Sequence, residues 1–205
     1  KGNNLRCNKK DVSDETGKRA DFLSAVTATR VTNSWKGSTV RWLMYSFHNV
    51  TGYQKFGSYT GNGSSTGPSV TTGFKPDFLM VKKTNSSANW RVVDSRRGAT
   101  SSSGSTLFPN LDNAEFTGSS EAVEFTSTGF QIKNNDTSWN GNSDTFIYWA
   151  IAKNVPSNTT LIDSFSVKTY TGDGASSKSI TGLGFQPDFV WLKSRSSGSI
   201  THTLF

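Results

Sequence analysis

The sequence predicts an all-β protein built from tandem antiparallel β-sandwich domains, one complete and two partial. Three observations carry this reading. Residues 59–83, YTGNGSSTGPSVTTGFKPDFLMVKK, return as residues 170–194, YTGDGASSKSITGLGFQPDFVWLKS, with no gap and a constant offset of 111. A second echo pairs NSWKGSTVRWLMYSF (33–47) with TSWNGNSDTFIYWAI (137–151) at an offset of 104. The rest of the chain is short apolar runs spaced by Gly, Ser, Thr and Asn, and at 33% hydrophobic residues it holds enough apolar surface for a core. An echo near the size of a small domain indicates an array of like units.

The first echo repeats the front of a unit and the second its rear. Residues 1–50 therefore read as the C-terminal part of a first sandwich, 55–153 as a complete one, and 161–205 as the N-terminal part of a third. Asn154 to Thr160 (NVPSNTT) has linker composition. Lys1 stands where an initiator Met would, and Leu204 and Phe205 stop inside an expected strand. The chain thus reads as a window cut from a longer polypeptide.

Taken in order, the one candidate helix is Asp14 to Val26, where Ala20, Phe22, Leu23 and Val26 fall near one side, although Gly17 weakens it. In the complete unit, Gly61, Asn62 and Gly63 supply a sharp reversal after a strand bearing Tyr59. Strands follow near Phe78 to Lys83, Trp90 to Asp94, Ala122 to Phe125, Phe130 to Lys133 and Thr145 to Ala152. The run Phe78, Leu79, Met80, Val81 fits a strand covered on both faces, and Pro76 precedes it where a missing N–H does no harm. Thr126 to Gly129 separate two alternating runs as a hairpin turn, with Gly129 free to take positive φ. In the last strand Ile147, Trp149 and Ile151 share one face, and Phe146, Tyr148, Ala150 and Ala152 the other. Both faces are apolar, which suits the middle of a sandwich or a seam between domains.

The formal charge of +7 raises a nucleic-acid reading, and its distribution argues against one. Residues 1–50 carry nine Lys or Arg against four acids, while residues 55–153 carry nine against eight. Lys9, Lys10, Lys18 and Arg19 are broken up by Asp11, Asp14 and Glu15, which dilutes any phosphate-binding stripe. No apolar run reaches membrane-spanning length, so neither nucleic acid nor membrane insertion is expected. The single cysteine, Cys7, excludes an internal disulfide and a cysteine-based zinc site.

Catalytic chemistry finds little to work with. His48 and His202 are the only histidines, and the counterpart of His48 in the complete unit is Ala152. Glu121 and Glu124 resemble a glycosidase pair in type, yet on one strand an odd separation would turn them to opposite faces. Asn134, Asn135 and Asp136 offer oxygen ligands for calcium but are equally ordinary turn formers. The glycine spacing fits no phosphate loop. No enzyme activity, cofactor or metal is expected.

Several segments together resemble a repeat domain of tailed-bacteriophage virion and tail-fibre proteins, abundant in marine phages and comparable to laminin-G or concanavalin-type jelly rolls. They are YQKFGSYTGNGS (53–64), TGFKP (72–76), VKK (81–83), STGF (127–130), DTFIYWAIA (144–152) and LGFQPD (183–188). The likeness runs over about residues 33–205, while residues 1–32 depart from it with extra charges. It implies a jelly-roll-like sandwich, a place in the virion, other copies or virion proteins as partners in a homo-oligomer, and no enzymatic site. Host attachment would then rest on weak loop contacts made strong by multivalency. The alternative is a lectin-like module of a secreted bacterial protein. In either case the best glycan-binding candidates are Trp139, with Asn140 and Asp136 beside it as hydrogen-bonding groups, and its equivalent Trp35. Each Trp has a competing use as a cap on the sandwich core.

Overall fold

The computed structural model describes residues 23–26, 31–33, 47–153, 166–175, 177, 179–183, 186–187, 190–196 and 203–204. The described chain is nearly all β. It runs β1 (Leu23–Val26), β2 (Val31–Asn33), β3 (Gln54–Thr60), β4 (Ser69–Thr71), β5 (Pro76–Lys83), β6 (Arg91–Asp94), β7 (Gly104–Thr106) and β8 (Phe116–Gly118). A 3-10 turn at Ser119–Glu121 leads to β9 (Val123–Thr126), β10 (Gly129–Ile132), the short helix α1 (Thr137–Asn140), β11 (Thr145–Ala152), β12 (Trp191–Leu192) and β13 (Thr203–Leu204).

Two antiparallel sheets make the sandwich. One has the order β3-β11-β5-β6 and the other β4-β10-β9, with β7-β8 as a separate ribbon. The long strand β11 lies between β3 and β5, paired along its whole length with both. Its two-residue alternation sorts side chains as the sequence indicates: Phe146, Tyr148, Ala150 and Ala152 enter the core, while Ile151 and Trp149 belong to a second cluster on the outer face. The core is closed by Leu79, Val81 and Val93 from the same sheet and by Val123, Phe125, Phe130 and Ile132 from the facing one. Tyr59 stacks on Phe146 at 4.9 Å between centroids, and Phe130 meets Tyr148 edge-on at 5.2 Å.

The hairpin β9-β10 turns through Ser127 and Thr128, with Thr126 opposite Gly129. Gly129 does not take the positive φ open to it. Its requirement is space: a Cβ there would lie 1.9 Å from the Val70 carbonyl oxygen of β4, the neighbouring strand of the same sheet. Pro76 sits at the first position of β5, next to an irregularity in the β5-β11 register, where the ladder does not need its missing N–H.

The candidate helix at Asp14 to Val26 is not supported where it can be examined. Leu23–Val26 is a strand paired with Val31–Asn33, and Asp14 to Phe22 lie outside the described residues. Val26, Thr27, Thr29 and Val31 are β-branched, a composition that favours extended backbone over a helix already weakened by Gly17.

The flanking hairpins reproduce pairings found in the central sandwich. Val26 opposite Val31 and Ala25 opposite Thr32 become Phe125 opposite Phe130 and Glu124 opposite Gln131 when each number is raised by 99. At the other end Trp191 pairs with Leu204, as Met80 pairs with Val92, with the intervening loop one residue longer. Thus β1-β2 has the register of β9-β10 next to the turn, before an irregularity between Leu23 and Ala25 that β9-β10 lacks, and β12-β13 has that of β5-β6 with a single insertion.

Two substitutions test the packing. Phe130 is fully buried, so Phe130→Ala is expected to cost about 3–5 kcal/mol in chemical denaturation. Gly129→Ala must push β4 from β10 and should cost about 1–3 kcal/mol, with the loss of protection confined first to Ser69–Thr71 in hydrogen exchange.

Candidate functional site

The segment offered by the sequence as a binding loop, NNDTSWNGNSD (134–144), folds into the short helix α1 and its flanks. Asp136 is the N-cap, its carboxylate accepting the Ser138 N–H at 2.8 Å. Asn134 accepts the Asp136 N–H at 3.0 Å and donates to the Ala122 carbonyl at 3.0 Å, so two of the three residues considered for calcium shape the turn. Among the described residues no cluster of three or more His, Cys, Asp or Glu is arranged to hold a metal ion.

Trp139 does not present its ring to solvent. It is fully buried in the main core, which removes it as a stacking platform for a sugar. The indole N–H donates to Glu121 Oε2 at 2.8 Å, and Glu121 is itself 2% exposed. Arg91 donates through Nη1 to both oxygens of Glu121 at 2.5 and 2.6 Å. The same guanidinium lies over the rings of Phe108, at 5.3 Å, and Trp139, at 5.7 Å. A carboxylate this deep is tolerable only if paired and hydrogen-bonded, and Arg91 with Trp139 meets both conditions. Glu124 points elsewhere and pairs with Lys133 at 3.2 Å, so the two glutamates do not form a catalytic couple.

Asn140 is equally inaccessible, and its hydrogen bonds are spent inside the fold. Its Oδ1 accepts the Asn62 N–H at 2.8 Å, and its Nδ2 donates to Asn62 Oδ1, the Ser64 carbonyl and the Asn134 carbonyl at 3.0, 2.7 and 3.0 Å. The Asn140 carbonyl accepts the Gly63 N–H at 2.9 Å, and the Trp139 carbonyl accepts the Tyr59 hydroxyl at 2.8 Å. Gly63 holds φ of 68°, as Gly174 holds 75° in the second copy of the turn. Gly61 has no room for a side chain, since a Cβ would lie 2.2 Å from the Gly141 carbonyl oxygen.

The two echoed motifs, YTGNG at 59–63 and SWNG at 138–141, are therefore partners. In the central sandwich each completes the other. Trp35, the counterpart of Trp139, lies outside the described residues, as does His202. His48 is exposed, with Nδ1 against the Asn49 carbonyl oxygen at 2.8 Å.

The chain matches the family model described as Domain of unknown function (DUF7483) over residues 1–155 and 162–205. It belongs to that family. No curated protein and no solved structure matches the chain. The family description assigns no activity, so the chemistry of the DUF7483 unit has to be read from its own side chains.

Those side chains form internal pairs that sequence reading did not anticipate, one of them local and the others between residues far apart in the chain. Asp94 caps the turn after β6, accepting the Arg96 and Arg97 N–H groups at 3.0 and 3.1 Å, and its carboxylate pairs with the Arg97 guanidinium at 2.5 Å. Lys83 pairs with Asp144 at 2.6 Å. Glu115 accepts from Arg97 at 3.0 Å and from Arg195 at 2.7 and 3.0 Å. Burial alone would raise the Glu115 pKa, but the hydrogen bonds and charges of Arg195 and Arg97 outweigh it and hold the carboxyl below its ordinary value. Burial pushes the Tyr59 hydroxyl well above its ordinary range, opposed by the Arg91 charge, so it acts as a neutral donor.

A group with a depressed folded pKa adds stability above its unfolded pKa and loses it as pH falls through the folded one. Stability should accordingly decline as pH drops below the ordinary carboxylate range, and Glu115→Gln should reduce that slope in pH-resolved thermal denaturation. At Trp139, the Phe variant keeps an aromatic ring but loses the N–H and part of the buried volume, with an expected cost of about 2–4 kcal/mol. Glu121→Gln breaks the buried ion pair and should cost more, about 3–5 kcal/mol, in the same denaturation assay.

Proposed function

We propose that the chain is a non-enzymatic structural repeat of a phage virion appendage, a fibre, tail or surface protein, in which tandem β-sandwiches carry a surface toward the host. The observation that carries this reading is the use made of the repeated residues. Tyr59, Gly61, Gly63, Trp139 and Gly141, the parts that recur along the chain, are spent on closing a sandwich. A recurrent ligand site would instead repeat groups turned to solvent. What recurs here is an assembly element, and repetition of such an element builds length and copy number.

The resemblance to phage virion repeats over about residues 33–205 supplies the setting. Partners are other copies of the repeat or neighbouring virion proteins, and host contact comes from many weak loop contacts acting together. The lectin-like alternative loses its leading residue with the burial of Trp139.

Mass spectrometry of purified particles from the source culture, with antibody labelling under the electron microscope, tests the proposal. The parent polypeptide is expected in the particle, at a fibre, tail or surface position. Its absence from intact particles alongside abundance in the soluble fraction would reject it.

A further inference from the structure

The outer face of the β3-β11-β5-β6 sheet carries a second apolar cluster. Phe78, Val92 and Ile151 are its buried centre, and Tyr53, Met80, Trp149 and Trp191 pack against them. Trp191 comes from β12, outside the central sandwich, and at an offset of 111 it is the counterpart of Met80. Met80 lies on the outer face of β5. Trp191 occupies the same position of the strand that repeats β5. The residue that repeats Met80 thus packs against the same cluster as Met80 itself.

Polar contacts beside the cluster fix the same segment in place. Arg195 reaches Glu115 with two hydrogen bonds, at 2.7 and 3.0 Å, and the Arg195 carbonyl accepts the Glu115 N–H at 2.8 Å. Lys193 donates to the Asp112 carbonyl at 3.1 Å. Glu115 is held from behind by Arg97, which also pairs with Asp94, so its carboxylate is already oriented when Arg195 arrives. The loop that carries Asp112 and Glu115 is acidic, and the segment it receives is basic.

We infer that this outer face, with Glu115 at its edge, is the docking surface for the next copy of the repeat, which seats on it through the segment that repeats the end of β5. The inference rests on the repeat reading above for the identity of the partner.

Hydroxyl-radical footprinting of the full chain reads the contact directly, through oxidation of the peptides that contain Met80 and Trp191. Arg195→Glu sets two acids against each other and should raise oxidation at both positions severalfold, while the peptide containing Trp139 stays protected. Glu115→Gln and Arg195→Gln should each raise it as well, and the double variant should be no more oxidised than either single one, because both remove one contact. Unchanged protection of Met80 and Trp191 in Arg195→Glu would overturn the inference. So would additive effects in the double variant, or exposure of Trp139 together with the seam. These readings come from a single chain in solution, so absence of the protein from virions would leave the docking surface standing, and a failed cycle would leave the virion proposal untouched.

Discussion

The indole of Trp139 is the point on which the remainder of the sandwich depends. It joins three parts of the chain that no local rule brings together. Its N–H satisfies Glu121 at the entrance to the β4-β10-β9 sheet, its face lies under Arg91 of the other sheet, and the backbone carbonyl of the same residue receives the hydroxyl of Tyr59 on β3. Glu121 is too deep to remain charged without partners, and Arg91 is too deep to remain without a counter-charge. The pair is tolerated because Trp139 supplies the further hydrogen bond the carboxylate requires. An ion pair of this kind contributes less to stability than to definition, since displaced alternatives leave a buried charge without its partner.

Once α1 is fixed by that contact, Asn140 faces the Gly61 to Ser64 turn and holds it through its side chain and backbone. The turn sets where β3 ends, and β3 pairs along its length with β11. Through β11 the constraint reaches β5, and through β5 both the core and the outer aromatic cluster. The inner face is closed by the sandwich itself. The outer face is left for the flanking segments, where Phe47 lies 5.1 Å from Trp149 and Trp191 joins from the other end of the chain. Proposed docking of units on that face would give the array its geometry without any change within a sandwich.

Much of the fold was legible because strand alternation is a strong signal when both faces are apolar. Thr145 to Ala152 is a strand over those very residues, and its two faces go where the alternation sends them. The hairpin at Ser127 and Thr128 was equally plain from its turn residues. The functional reading of Trp139 failed for a physical reason. Its neighbours are Asn, Asp, Ser and Gly, which by composition belong to an exposed loop, yet Asn134 and Asn140 bond to backbone groups and one another's loops and so become interior residues. Asp136 ahead of Thr-Ser-Trp-Asn-Gly was a readable cap for a short helix, but one turn has no apolar period to confirm it. The Glu121 partners were not readable at all, since Arg91 is thirty residues away and the pairing depends on the sandwich being closed. Gly129 shows the same limit in miniature: glycine in a turn suggests positive φ, while the actual demand comes from the close approach of β4 beside it in the sheet.

Hydrogen exchange of the Trp139 indole proton, followed by NMR under native conditions, reaches the central claim most directly. If the Glu121, Arg91 and Trp139 contact closes the sandwich, that proton should exchange only with global unfolding, at the free energy of the slowest amides of β11 and with the same denaturant dependence. Exchange orders of magnitude faster than those amides, and insensitive to denaturant, would mean that the indole opens to water on its own, and the account of the fold as built around it would be wrong.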